Sequence, residues 1–156
     1  MERKIKKAAV LGSGVMGATI AAHLANVGIP SLMLDIVPNQ LTPEEEKKGL
    51  TLKHPMVRSR FAINGKQNLL KMRPAALAVP EFASLIEVGN FEDHLSRLAE
   101  VDWIIEVVVE NLKIKQDLLK KLPRCAGQAR FSAPILPAFP SRTSARGWIR
   151  RSKSIS

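Results

Sequence analysis

Three glycines and one acid carry the first chemistry this sequence offers. Gly12, Gly14 and Gly17 are spaced G-x-G-x-x-G, and Asp35 lies 18 residues beyond the last of them. A short apolar run from Ile5 to Leu11 leads into the glycines. A stretch of helical periodicity leaves them, with Ile20, Leu24 and Val27 at i, i+4 and i+7. In that setting each glycine has a physical task. Gly12 permits a tight turn, Gly14 lets main chain come close to a diphosphate, and Gly17 lets the helix approach the sheet. The loop from Gly12 through Ser13, Gly14, Val15 and Met16 to Gly17 would present amide N–H groups and the positive end of a helix dipole to phosphates. Asp35 closes a second apolar run, where its carboxylate can accept hydrogen bonds from both hydroxyls of an adenosine ribose. The same charge repels a 2′-phosphate, so the pattern predicts NAD rather than NADP. The plainer readings are a glycine-rich turn with no nucleotide and a solvated acid at a strand end. The coincidence of strand, turn, helix and acid favours the site.

These residues need a frame. Strand, glycine turn, helix and the strand Ser31–Asp35 make a βαβ unit, with Gly28 where a helix C-cap glycine belongs. The predicted fold class is α/β: a Rossmann-like parallel sheet, incomplete, with helices on both faces. Thr42-Pro43-Glu44-Glu45 has the makings of a capping box, with Pro at the first helical position. A charged, mostly helical stretch follows, broken near His54-Pro55. It is too long for a plain strand–helix connection, so about 42–82 reads as a helical arm inserted after the second strand. Leu85–Val88 is expected as a short strand and Phe91–Leu98 as a short helix. Asp102–Val109 is nearly continuous in apolar residues, as a parallel strand covered on both faces should be. Ile114–Lys121 returns to helical character.

The totals exclude several classes. The chain has 156 residues, 46% of them hydrophobic, which suits one globular domain rather than a disordered chain. No apolar run approaches the ~20 residues needed to cross a bilayer, and no apolar core follows the charged start. Cys125 is the only cysteine, so no internal disulfide can form and a cytoplasmic setting is expected. The net charge of +10 would suit a nucleic-acid partner, but its distribution argues against one. Residues 122–156 hold seven Arg or Lys and no acid, which leaves only +3 for residues 1–121.

With these motifs in place the sequence resembles the L-3-hydroxyacyl-CoA dehydrogenases. The likeness is carried by Lys6-Lys7-Ala8-Ala9-Val10-Leu11 and the glycine loop, by Ala21-Ala22-His23-Leu24-Ala25, and by Leu34-Asp35. It is carried more specifically by Asp102–Val109 followed by Glu110-Asn111-Leu112-Lys113-Ile114-Lys115. The arm resembles that of the bacterial multifunctional fatty-acid oxidation proteins. The resemblance implies NAD-dependent oxidation of the 3-hydroxyl of a fatty acyl-CoA to the 3-oxo compound. It places Glu110 and Lys115 on the nicotinamide side of the cofactor and the arm against CoA. Arg58, Arg60, Lys66, Lys71 and Arg73 are then possible phosphate partners, although a solvated helix face is the plainer reading of any one. His23 and His54 match no catalytic position and are expected to be structural or exposed; no catalytic residue is assigned in this chain.

The resemblance is expected to cover residues 1–121 and to end there. Beyond Lys121 the family pattern calls for a fifth strand and a Ser-Asn-Thr-Ser-Gly motif, which this chain lacks. Taking the third base of each codon with the first two of the next restores it. For permitted codons, Gly127 onward then reads Pro-Gly-Thr-Ile-Phe-Ser-Ser-Asn-Thr-Ser-Gly. Residues 122–156 are therefore expected to be an aberrant basic tail from a shifted reading frame, poorly ordered and rich in proline. The rival is a genuine basic tail for an acidic partner. Without a fifth strand, the fourth would show an open edge. The family's helical domain, with its His–Glu pair and dimer surface, is absent from these residues. The chain is expected to bind NAD without turnover, as a remnant would.

Overall fold

A computed structural model describes residues 4–108, 113, 116–118, 120–121 and 130–132. Five strands make one parallel sheet: β1 (Ala8–Leu11), β2 (Ser31–Asp35), β3 (Ile86–Asn90), β4 (Trp103–Glu106) and β5 (Arg130–Ser132). Their spatial order is β3-β2-β1-β4-β5. β1 runs parallel to β2 on one side and to β4 on the other, with Leu11 opposite both Leu34 and Glu106.

The central strand is apolar because both of its faces are covered. Ala8 and Val10 join Met33 and Ile86 in a cluster beneath α1 (Val15–Asn26), while Ala9 and Leu11 join Leu32, Leu34 and Ile104 on the opposite face. The second face is covered by Leu95 and Leu98, from the 3₁₀ helix Leu95–Glu100, and by Leu118. Helices on both faces therefore follow directly from the sequence of β1. α1 ends in an αL cap: Gly28 has φ +79°, and the amides of Gly28 and Ile29 each donate to a last-turn carbonyl at 2.9 Å.

Between β2 and β3 lie α2 (Pro43–Lys47), α3 (Pro55–Arg58), α4 (Arg60–Lys71) and a 3₁₀ turn, Pro80–Leu85. The capping box is complete: Glu45 N–H donates to Thr42 Oγ1 at 3.3 Å, and Thr42 N–H donates to Glu45 Oε2 at 2.8 Å. The break near His54-Pro55 is where α3 starts, with His54 Nδ1 accepting from Met56 N–H. The arm lies against the body: Leu69 of α4 is buried in the α1-side cluster, and Lys66 Nζ donates to the Ile86 carbonyl at 2.8 Å.

One expectation is overturned. β4 shows no open edge among the described residues, because Arg130–Ser132 pairs with it in parallel, Ile104 opposite Phe131. A three-residue strand carries too little periodicity to be seen in a stretch set between prolines, and its identity comes from the edge it completes. Other differences are smaller. Phe91–Leu98 reads as helix in sequence, but the turn starts at Leu95, because Asn90 caps the intervening loop: its Oδ1 accepts from Glu92 and Asp93 amides at 3.0 and 2.8 Å. β4 is shorter than Asp102–Val109: it spans Trp103–Glu106, and the Val107 amide makes the last bond of its ladder with β1, donating to the Leu11 carbonyl at 2.8 Å.

Candidate functional site

The strand order reverses direction between β1 and β4, and the carboxyl end of that pair is where ligands of open α/β sheets bind. The glycine loop sits there. Gly12 has φ +115°, and a Cβ on it would stand 2.9 Å from the carbonyl oxygen of Val107. A Cβ on Gly17 would stand 1.9 Å from the Gly12 carbonyl oxygen. Both glycines are thus required by the protein's own packing. Gly14 is different: a Cβ there meets no protein atom within 4 Å. Its backbone, φ −60°, is open to any residue, so the fold leaves its smallness unexplained and a close-lying ligand would explain it.

Gly14 is also the N-cap of α1, with no side-chain cap and no acid in the first turn. The orphan amides and dipole of that turn are therefore not neutralised from within the helix. Val15 and Met16 are 75% and 55% exposed at the mouth of the loop, so the residues that open the helix present main chain and apolar surface rather than charge.

Asp35 lies at the other side of the loop, half-buried. Its Oδ2 accepts from Ser13 N–H at 2.7 Å and from the Ser13 hydroxyl, and its Oδ1 accepts from Ile36 N–H at 2.7 Å. Oδ2 thus already accepts twice, while Oδ1 keeps acceptor capacity for a further donor. Ser13 itself is buried, so its side chain serves Asp35 rather than facing outward.

Two clefts flank the carboxylate. One, of about 390 Å³, runs from Ser13, Gly14 and Val15 past Asp35 to α4. The other, of about 380 Å³, follows Ile36 and Val37 to Phe91, Leu95 and Leu118, with Asp117 and Lys121 at its rim. Phe61 lines both. The arm's share in this wall was not foreseen from sequence. Its signal was Gly65, a lone glycine inside a helix, where it costs about 0.5–1 kcal/mol relative to alanine. The cause is contact: a Cβ on Gly65 would lie 2.5 Å from the Ser13 carbonyl oxygen.

The basic residues of the arm are mostly committed elsewhere. Arg58 binds Asp93 at 2.6 Å and Glu92 at 2.8 Å, which raises its own pKa and lowers that of Asp93. Arg60 pairs with Glu45 and donates to the Gln40 carbonyl. Arg73 donates to the neighbouring Met72 carbonyl at 3.1 Å, and Lys71 is exposed. His23 is exposed. Glu110 and Lys115 lie outside the described residues. Among the described residues no cluster of His, Cys, Asp and Glu suits a metal ion, and no helix is long and apolar enough to cross a membrane.

A parallel sheet with a glycine turn at its switch point, an uncapped helix start above it and an acid closing the next strand defines a dinucleotide-binding Rossmann domain. Comparison with known proteins narrows the class. Residues 7–133 match the family model described as the 3-hydroxyacyl-CoA dehydrogenase, NAD binding domain, and the chain belongs to that family. A Bacillus subtilis protein named "Probable 3-hydroxyacyl-CoA dehydrogenase" is 59% identical over 118 residues, covering 76% of this chain and 15% of that protein. A protein of the same name from Deinococcus radiodurans is 47% identical over 144 residues, 92% of this chain and 38% of its own length. The fatty acid oxidation complex subunit alpha of Pseudomonas syringae is 34% identical over 126 residues, 81% of this chain and 15% of that subunit. Among solved structures, 3-hydroxybutyryl-CoA dehydrogenase from Escherichia coli is similar at 26% identity and TM-score 0.53, over 83% of this chain and 24% of that one. The chain thus spans well under half the length of these relatives. The family match runs to residue 133, past residue 121 where the sequence is expected to leave the family.

Proposed function

We propose that Gly12, Ser13, Gly14, Val15, Met16, Gly17 and Asp35 hold NAD, and that the whole protein oxidises the 3-hydroxyl of an L-3-hydroxyacyl-CoA to the 3-oxoacyl-CoA. The observation that carries the reading is Gly14, whose Cβ-free space faces no protein while the glycines on either side are fixed by packing. The diphosphate of the cofactor belongs over this residue and the first-turn amides of α1, and the adenosine ribose at Asp35. The apolar cleft beside Ile36 and Val37 suits the adenine. Bound NAD supplies the hydride acceptor. This chain's residues orient it: Ser13 holds the Asp35 carboxylate by two donors, and the charge of Asp35 disfavours a 2′-phosphate. Glu110 and Lys115 are assigned to the nicotinamide side through the family motif.

Domains, partners and setting follow the same reading. Residues 1–121 supply the cofactor unit with the arm at about 42–82, and 122–156 are a basic stretch of different origin that adds β5, Arg130–Ser132, to its sheet. The substrate is a fatty acyl-CoA, in a cytoplasmic setting that suits the single cysteine. The 156 residues bind cofactor without turnover, as the alternative of an NAD-binding remnant also requires, since no catalytic His is matched in them.

Calorimetry on the chain with NAD tests the site. Asp35→Asn keeps the shape and removes the charge; hydrogen bonds to charged groups are worth ~1.5–3 kcal/mol each, so affinity should fall by about a hundredfold. Equal affinity of Asp35→Asn and wild type would refute the placement.

A further inference from the structure

Asn90 ends β3 fully buried, at 0% exposure, and its carboxamide uses every bond it can make. Its Oδ1 accepts from the Glu92 and Asp93 amides at 3.0 and 2.8 Å. Its Nδ2 donates to Asp93 Oδ2 at 3.0 Å and to Ser59 Oγ at 3.2 Å. The turn that Asn90 closes is also held by His94. The Asn90 amide donates to His94 Nδ1 at 3.1 Å, and a Cβ on Gly89 would stand 2.8 Å from the same ring, so glycine in the strand is what lets the imidazole lie there. Arg58, the last residue of α3, clamps the turn from the arm. It grips Asp93 with Nε and Nη2 at 2.6 and 2.9 Å, and Nη2 reaches Glu92 at 2.8 Å. The turn in its place carries part of a cleft wall. Phe91, Glu92 and Leu95 line the cleft that Ile36 and Val37 line, and the Phe91 amide donates to the Asp35 carbonyl at 2.9 Å.

We infer that Asn90 and the Arg58–Asp93 clamp are positioning residues for the adenosine end of the cofactor. This rests on the placement of NAD proposed above. Neither acts by contact: Asn90 is sealed from solvent with no bonding capacity left, and the guanidinium of Arg58 is spent on two carboxylates. They act by fixing the turn from Asn90 to His94, which delivers two things to the site. It stands Phe91 and Leu95 as apolar surface for a base, and it ties that surface to the main chain of Asp35, the residue whose carboxylate meets the ribose. A wall held in shape before binding spares the ligand the cost of ordering it, and that saving appears as affinity. Arg58 thereby gives α3 a part in the site without touching the dinucleotide.

The test is calorimetry of the 156-residue chain with NAD and with ADP-ribose, below the melting transition of every variant. Asn90→Ala would undo the turn outright, so the clamp is changed from its solvent side, where Asp93 is exposed. Arg58→Gln removes a cation and Asp93→Ala an anion. Acting only as charges on an anionic ligand, the two would move affinity in opposite directions. Acting through the turn, each should weaken NAD and ADP-ribose by about fivefold, the scale of one hydrogen bond, and the double variant should be no weaker than either alone. No change, opposite shifts, or losses that add in full, with affinity lost in Asp35→Asn, would overturn the inference and leave the placement of NAD intact. Wild-type affinity in Asp35→Asn, or no NAD binding by the wild-type chain, would overturn the two together.

Discussion

Two glycines in one loop are small for opposite reasons, and mutation separates them. At Gly17 an added methyl would meet the Gly12 carbonyl at 1.9 Å, so Gly17→Ala must displace either helix or turn. It should cost about 3 kcal/mol of stability, in the range of overpacked core positions. At Gly14 the methyl meets nothing, and the extended backbone, φ −60°, is open to any residue. Gly14→Ala should melt close to the wild-type temperature, because alanine's restriction of the unfolded chain offsets its poorer fit at a helix N-cap. It should nevertheless bind NAD at least about tenfold more weakly, from a contact worth ~1.4 kcal/mol or more. Thermal melts and calorimetry on the pair decide this: a Gly14→Ala chain with full affinity would place the diphosphate elsewhere. The glycine spacing announced the loop, but only the packing shows which of its glycines serves the fold and which is left for a ligand.

At the scale of elements, the amino end of the sheet is tied by charge. Lys7 Nζ, just before β1, lies 2.9 Å from Glu87 of β3 and 3.4 Å from Glu100, and Arg97 of the 3₁₀ helix closes on Glu87 from the other side. The hydrogen bonds from Arg97 and then Lys7 hold the Glu87 carboxyl below its ordinary value of 4.5. A carboxylate with a lowered folded-state pKa stabilises the fold above its unfolded value. That stability is lost as pH falls through the folded value. The side chain of Glu87 is 43% exposed, so solvent and salt weaken the effect. In urea, Glu87→Gln should therefore fall short of wild type at neutral pH, and the two should converge once the pH is well below 4.5. A constant difference across that range would remove Glu87 from the acid transition. The sequence showed where such elements lie when a period or a cap marked them. β2 has the bounds its apolar run predicts, Ser31–Asp35, and α2 starts at the capping box. It did not show how elements meet. Nothing in the arm's composition says that Gly65 rests on Ser13 or that Phe61 divides two clefts, because those are contacts between residues about 50 positions apart, formed only when α4 packs beside α1.

For the molecule as a whole, the basic tail and the fifth strand must be reconciled. The family likeness runs to residue 133 and β5 pairs correctly with β4, yet the motif due after that strand is missing from the sequence. A shift of reading frame would account for both facts, and the gene sequence tests it. Across the codons of Arg130, Phe131 and Ser132, the neighbouring frame can read Ile-Phe-Ser, so both frames write Phe-Ser within a residue of the same place. A strand so short is held mainly by backbone pairing with its neighbour, which side-chain identity barely alters. The frames then part. One continues into the Pro- and Arg-rich stretch from Pro134 to Arg151, the other into Ser-Asn-Thr-Ser-Gly. Sequencing the gene through codons 115–145 should show a single base gained or lost near codon 122, relative to the gene of the Bacillus subtilis relative, with the motif intact in the neighbouring frame. A gene whose neighbouring frame lacks that motif would make the tail a true part of the protein. Its seven cations without an acid would then call for an anionic partner, and salt-sensitive binding to polyanions would be the property to measure.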